Sequence, residues 1–442
     1  MTGYLHYFLS MFSPTSTVGF FRAFADLMTS PAPAWWLYVI GPFVVVTLPT
    51  LVLWAVYLVR PAAVRPPLPD HPLKAEPLVS VVIAGRNESA TIAQSIRGAL
   101  LCGYSNLEVI FVDDHSEDAS VSVARRAALG VMQGAWDSNR VRIFPSPRRN
   151  GKASSLNIGI RMARGEFIII NDADSMIQYG SLPHWLLPFE DPRVGAVAAN
   201  IRVANGKASL LTRLQEIEYA LKATSKAAQA RLDILTIVSG MGGIFRAEIL
   251  HRLGGIDTGL GDDRDLTMMI RKQRWKVAYS FDAVVWTTVP VTRKHLWSQR
   301  SRWRRNVVKI CLSKHRDYFI VGRYGFANTV AYMILFNQIV LPLAAIVVAI
   351  GSTIEFGPWA VPEILVVSYW ISIFYYLLKM LVARDFTRVP ANEDFVLVFL
   401  LPFYFIYLVS LAQYEAFLTE LFRIGTKHPY VPDHIWEEIP WW

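Results

Sequence analysis

Apolar and polar positions alternate in different rhythms along the chain, and the changes of rhythm predict its organisation. Between about residues 77 and 320, short β-branched runs stop abruptly at polar residues: "LVSVVIAG" from Leu78, "LEVIFVDD" from Leu107 and "GEFIIINDAD" from Gly165. Stretches with helical spacing, "SATIAQSIRGALL" and "ASVSVARRAALG", lie between them. Such alternation predicts buried strands in a parallel sheet covered on both faces. Ligands of these sheets bind beyond the carboxyl ends of the strands, where the aspartates of "VDD" and "DAD" stand.

On either side the polar positions thin out. The run from Trp35 to Val59 carries no charge and is long enough to cross a bilayer. Trp35 and Trp36 would mark one interface, Arg60 and Arg65 the other. The preceding "TVGFFRAFADLM" predicts an interfacial helix, and without a basic n-region and cleavage site no removed signal peptide is expected. Apolar runs at about 325–350, 359–382 and 395–418 predict three further spans. Asn337, Gln338 and Lys379 interrupt them and are expected to face protein or a water-filled path. Four segments follow: 1–76, an interfacial helix and anchor; 77–292, an α/β domain; 293–324, amphipathic interface helices; and 325–442, a membrane region and tail.

Composition supports the membrane assignment. The chain is 53% hydrophobic with 14 tryptophans, and its mean hydropathy is +0.31. A formal charge of +9 suits nucleic acid, anionic lipid or a phosphate-bearing substrate. No zinc-finger, RNA-recognition or homeodomain pattern is present, so a nucleic-acid partner is not expected. Much of the basic excess lies between Arg293 and Arg323 beside an apolar run, which favours lipid and a positive-inside topology. Cys102 and Cys311 are the only cysteines, which excludes a disulfide framework and a Cys-based zinc site.

Several motifs carry chemistry, each with a plain structural alternative. In "NDADS", Asp172 and Asp174 can hold a divalent cation that bridges a diphosphate, or simply form a turn. Asp113 and Asp114 of "VDDHS" can meet a uracil and its ribose, or close a turn likewise. Lys152 of "NGKASSLN" precedes the "DAD" strand and suits a phosphate, although most lysines are surface residues. In "GLGDDRDLT", Asp262 or Asp263 is either a helix N-cap or a general base for a sugar hydroxyl. Upstream, Ser239, Gly240, Met241 and Gly242 provide small residues for close approach to a ligand, or for a tight turn. In "WSQRSRWRRN", a helix would put Gln299, Arg302 and Trp303 on one face, at i, i+3 and i+4. That face offers an amide, a cation suited to diphosphate and an indole suited to a sugar ring. Arg304 falls off it and is expected to meet lipid headgroups.

"VDDHS", "DAD", "GDDRDLT" and "QRSRW", in this order between membrane runs, resemble the processive membrane-bound synthases of glycosyltransferase family 2. Hyaluronan, chitin, chitooligosaccharide, cellulose and poly-N-acetylglucosamine synthases are members. The resemblance covers about residues 77–320 and implies an α/β, GT-A type Rossmann-like domain in the cytosol, inserted between transmembrane helices. It implies a UDP-sugar donor, a growing glycan acceptor, Mg²⁺ or Mn²⁺, and a β-linked product. By position, it makes Asp113 and Asp114 uridine contacts, Lys152 a diphosphate contact, and Asp172 and Asp174 the metal motif. Asp263 becomes the base beside Asp262, Ser239 to Gly242 the acceptor loop, and Gln299, Arg302 and Trp303 the diphosphate and acceptor clamp. His115 stands where the family usually has glycine. Lys427 of "FRIGTKHPY" matches the basic tail that related synthases bring to the donor.

The expected protein is a multi-pass enzyme of the bacterial inner membrane that extends a polysaccharide, with N-acetylglucosamine the first choice of sugar and glucose the second. A polyprenyl-phosphate glycosyltransferase and an inactive subunit recruiting export proteins are the alternatives. The "QRSRW" motif argues against the first, and retention of the charged motif residues against the second.

Overall fold

In the computed structural model, residues 76–134, 136–257, 263–320, 322–387 and 389–422 are described. The amino-terminal interfacial helix and anchor, Asp262 and the tail bearing Lys427 lie outside them. Each apolar run of the α/β region becomes a strand: β1 (Val79–Gly85), β2 (Leu107–Asp113), β3 (Val141–Pro145), β4 (Phe167–Asp172), β5 (Ser175–Ile177), β6 (Val194–Val203), β7 (Gly243–Arg246) and β8 (Lys276–Thr287). They form one sheet in the order β3-β2-β1-β4-β7-β6-β8-β5. Helices α1 (Ile92–Leu100), α2 (Ser120–Val131) and α3 (Lys152–Met162) connect the first four strands.

The side-chain period of two divides the core. Val79, Val81 and Ile83 of β1 join one apolar cluster with Ile92, Ile96 and Phe111. Val82 and Ala84 join another with Leu156, Ile160 and Ile170 on the opposite face. Burying each large aliphatic side chain contributes roughly 1.5–3 kcal/mol, which fixes the strand register and, with it, the polar strand ends.

The expected all-parallel sheet is instead mixed. Strands β3, β2, β1 and β4 run parallel, whereas β7 is antiparallel to both β4 and β6. β6 and β8 are parallel, and β5 is antiparallel to β8 at the far edge. Two local features cause the reversal. Directly after β4 the chain turns at Ala173 and Asp174 and leaves for that edge. β7 is only four residues long and follows a tight turn closed by Gly242 N–H donating to Ser239 O at 3.1 Å. A Cβ on Gly243 would lie 2.6 Å from Val238, so that strand starts with glycine by steric need and carries no period signal.

The remaining helices are α4 (Ser181–Leu186), α5 (Leu210–Arg231), α6 (Ala247–Leu253), α7 (Asp263–Lys272), α8 (Arg293–Lys309), α9 (Phe326–Phe356), α10 (Ala360–Thr387) and α11 (Leu411–Leu421). Ser209 caps α5, its side chain accepting from Thr212 N–H in a capping box. Of the described residues, Leu343–Ser368 belong to one compact unit and all others to a second. The segments Ile364–Thr387 and Leu401–Glu420 are long and apolar enough to cross a membrane. The last apolar run is not one regular helix: a single turn at Leu401–Phe403 contains Pro402, and a π-helical stretch, Tyr404–Ser410, precedes α11. Lys379 does face protein, its Nζ donating to Ser225 Oγ of α5 at 2.8 Å.

Candidate active site

The double aspartate closes β2 with both carboxylates turned to donors of the protein itself. Asp113 is buried and accepts from the backbone N–H and the hydroxyl of Ser116. Asp114, also buried, sits at the N-terminus of α3 and accepts from Asn150 N–H at 2.7 Å, Gly151 N–H at 3.0 Å and Ser155 Oγ at 3.1 Å. A carboxylate there satisfies donors that the first helical turn leaves unpaired. His115, in place of the family's glycine, has φ of 62°, so the left-handed turn survives at the modest cost of a side chain in that region.

Asp114 thereby sets the start of α3, and α3 sets Lys152. Gly151 has φ of +84°, which lets the chain enter the helix with Lys152 aimed at the "DAD" turn. Lys152 Nζ lies 2.6 Å from Asp172 Oδ1. Asp174 opens on the same cleft, and its carboxyl is pushed up to about 6 by desolvation and then by the neighbouring Asp172. Glu88, just past β1, joins this group. Desolvation first raises its carboxyl, and Asp172 raises it further, while Thr91 Oγ1 donates to it at 2.8 Å. Three strand ends thus converge, although only two were marked from the sequence. Glu88 in "GRNES" could have been found by the same rule.

Helix α8 carries Gln299, Arg302 and Trp303. Arg302 lies near enough to Lys152 to repel its ammonium. Gln299 has its Oε1 buried without a hydrogen-bond partner among the described residues. Trp303 has Arg300 over its ring at 4.4 Å and Lys222 of α5 at 5.3 Å. Arg304 corrects an expectation. Rather than reaching lipid headgroups, its guanidinium donates to Gln338 Oε1, because α9 lays that amide within reach.

Helix α5 was missed in the sequence. Buried Glu218 accepts from Arg300 Nη2 at 2.8 Å and from the Tyr404 hydroxyl, and pairs with Lys222 Nζ at 2.6 Å. Tyr219 feels the charge of Asp174. One further turn along, Lys226 Nζ donates to Ser239 Oγ at 2.7 Å.

Ser239 opens the small-residue loop, and the loop is stitched to α7. Gly240 N–H donates to Asp263 Oδ2 at 3.0 Å, and Val238 N–H donates to Thr267 Oγ1 at 2.9 Å. Thr267 Oγ1 donates in turn to Asp263 O at 2.7 Å. Asp263, in the first described turn of α7, thus has one oxygen on the loop's backbone. Met241 is half-buried between the two glycines. A Cβ on Gly242 would press on Ala199 at 3.3 Å.

No cluster of three His, Cys, Asp or Glu side chains forms a cation cage among the described residues. Asp172 and Asp174 nonetheless suit Mg²⁺ or Mn²⁺. A hard cation commonly takes one or two carboxylates and completes its shell with water and substrate phosphates.

Residues 76–306 match the family model described as "Glycosyltransferase like family 2". A poly-beta-1,6-N-acetyl-D-glucosamine synthase of Staphylococcus aureus is 28% identical over 266 residues, 59% of this chain and 61% of the relative. A beta-monoglucosyldiacylglycerol synthase of Trichormus variabilis is 28% identical over 274 residues, 61% of this chain and 57% of the relative. The chain thus matches less than two thirds of the length of either relative. A mannosyltransferase from Pyrobaculum calidifontis, solved in complex with GDP-Man and Mn²⁺, has a similar fold, with a TM-score of 0.57. It is 21% identical, and the match covers 88% of this chain and 99% of that one. The GT-A like mixed sheet and a family match over more than half its length agree: the chain belongs to glycosyltransferase family 2.

Proposed function

We propose that the protein is an inverting, processive synthase that transfers a sugar from a UDP-sugar, UDP-N-acetylglucosamine first, to a growing β-linked glycan. It works at the cytosolic face of a bacterial inner membrane. The observation that carries this reading is the convergence of the Lys152–Asp172 pair, at 2.6 Å, with Arg302 from the interface helix. Two cations beside a carboxylate pair suit a nucleotide diphosphate. The Staphylococcus relative, which makes an N-acetylglucosamine polymer, supports the choice of sugar.

Asp114 holds α3 and Asp113 its own turn, and together they shape the uridine end. Lys152 and Arg302 neutralise the leaving diphosphate. Asp172 and Asp174 would hold Mg²⁺ or Mn²⁺, which when bound supplies further charge neutralisation at that diphosphate. Asp263 takes the proton of the acceptor hydroxyl. The acceptor oxygen forms its bond to the anomeric carbon as the bond to the phosphate oxygen breaks, and that electron pair leaves with UDP. A buried Gln299 Oε1, without a partner among the described residues, costs about 1–3 kcal/mol while unpaired, and a sugar hydroxyl donating to it removes that cost. Trp303 offers its indole to the acceptor ring.

A screen of radiolabelled UDP-sugars on the purified full chain in lipid nanodiscs, with sizing of the product, tests this reading. A ladder of water-soluble oligomers is expected. A second reading, transfer to a lipid acceptor, draws on the diacylglycerol-glycosylating relative. Its signature would be label that partitions entirely into organic solvent, which would reject the polymer.

A further inference from the structure

Tyr219, Lys222 and Lys226 lie at i, i+3 and i+7 of α5, and hence on one face. That face runs past the catalytic elements in order. Tyr219 is within the field of Asp174, Lys222 lies over Trp303, and Lys226 reaches the loop on Asp263. From residue 219 to 226 the helix rises about 10 Å, roughly the span of two sugar rings. The first two positions face donor and clamp residues already described. Lys226 faces Asp263.

Its surroundings are specific. Lys226 is part-buried, and its Nζ donates to Ser239 Oγ at 2.7 Å. The next residue of the loop, Gly240, donates its N–H to Asp263 Oδ2 at 3.0 Å. Two adjacent loop residues therefore join the ammonium and the carboxylate. The charged groups about Lys226 are Asp263 and Arg264, both from α7, and Arg304 of α8 faces Arg264 in turn. Desolvation holds the ammonium down at about 8, and the attraction of Asp263 opposes that fall.

We propose that Lys226 is a positioning residue for glycosyl transfer: through Ser239 it seats the acceptor loop on Asp263, and its charge keeps that carboxylate ionised and ready to accept the acceptor's proton. The proposal rests on the reading of Asp263 as the base. A part-buried carboxylate beside a cation stays charged to lower pH than one without it. Lys226 bonds the loop at Ser239 while Lys152 pairs with Asp172, so UDP binding is expected to be independent of Lys226.

The test is the pH profile of kcat/KM for the purified full chain in nanodiscs. The donor is UDP-N-acetylglucosamine, or UDP-glucose where the screen returns glucose. Lys226→Met should move the acidic limb up by about one pH unit, the lower end of the effect of one nearby opposite charge. Lys226→Arg keeps the charge and should restore the limb. Ser239→Ala should raise the KM for an oligosaccharide acceptor and leave the limb in place. UDP binding by calorimetry reports folding. Where Lys226→Met fails to bind UDP, Lys226→Gln, which keeps a donor but not the charge, is read in its place. An acidic limb unmoved in the uncharged variant overturns the proposal. Asp263→Asn serves as the control on the underlying reading. Transfer that survives in it removes the base assignment, and the proposal with it. Transfer lost in Asp263→Asn with an unmoved limb in the Lys226 variant removes the proposal alone.

Discussion

Arg300→Met is the most informative single change, because it removes a residue that touches no proposed substrate group. The Arg300 side chain is almost wholly enclosed and meets Glu218 at 2.8 Å, whose own side chain is 1% exposed. Removing one partner of a buried ion pair costs roughly 3–5 kcal/mol, because the other charge is left in a poor dielectric. Lys222 at 2.6 Å and the Tyr404 hydroxyl still serve Glu218, so the lower figure, about 3 kcal/mol, is expected. Loss of the guanidinium over Trp303 adds about 1 kcal/mol. Scanning fluorimetry in detergent should show a melting temperature lower by on the order of 8–16 °C for the resulting loss of about 4 kcal/mol, taking 2–4 °C per kcal/mol for a domain of this size. Glu218→Gln combined with Arg300→Met removes the stranded charge and should recover part of the loss. A pH series adds a sign. Desolvation pushes the Glu218 carboxyl up, but Arg300 and Lys222 outweigh it and hold it down at about 2. Its unfolded value is about 4.3. The stabilisation is therefore fully present above about pH 4.3 and lost as pH falls toward about 2. A single variant within about 1 kcal/mol of wild type, or a double variant as damaged as the sum of the singles, would refute this account.

The other expectations concern the chemistry. EDTA should stop turnover and Mg²⁺ or Mn²⁺ restore it, and full activity in chelator would remove Asp172 and Asp174 as the metal motif. Asp263→Asn should retain folding and UDP binding while transfer falls by roughly a hundredfold or more. Simultaneous loss of UDP binding would make Asp263 structural. Trp303→Ala should raise the acceptor KM with UDP binding nearly intact, whereas Arg302→Ala should lower donor turnover. Wild-type kinetics in both would return the segment to a plain membrane anchor.

The parts of the fold that were legible are those whose burial repeats along the chain. β1, β2 and β4 are fully enclosed apolar runs, so period and length alone mark them, and their polar ends locate the cleft. The antiparallel half was not legible, for reasons of length and steric detail. β5 has three residues and β7 four, too short for a period to register. The turn at Ala173 and Asp174 that sends the chain across the sheet reads, in one dimension, only as a possible metal motif.

For the site, the sequence exposed residues with a chemical signature and hid those that act through a neighbour. Asp172, Asp263 and Arg302 stand in motifs, whereas Glu218, Lys222 and Lys226 lie in "EIEYALKATSK", which reads as an ordinary solvated helix face. Their partners are remote in the chain: Arg300 and Tyr404 for Glu218, and Ser239 for Lys226. The other polar contacts of α5 were equally hidden, since Arg213 pairs with Asp394 and Ser225 accepts from Lys379. A charged residue inside an apolar run has to find a partner, and here two of the partners lie on the helix that also lines the cleft. The position of α5 over Trp303 and the acceptor loop therefore depends on α10, on the Asp394 segment and on the turn at Tyr404. A domain cut off before those segments would keep its strand ends and the Lys152–Asp172 pair, but would lose the polar contacts that hold this wall of the cleft in register.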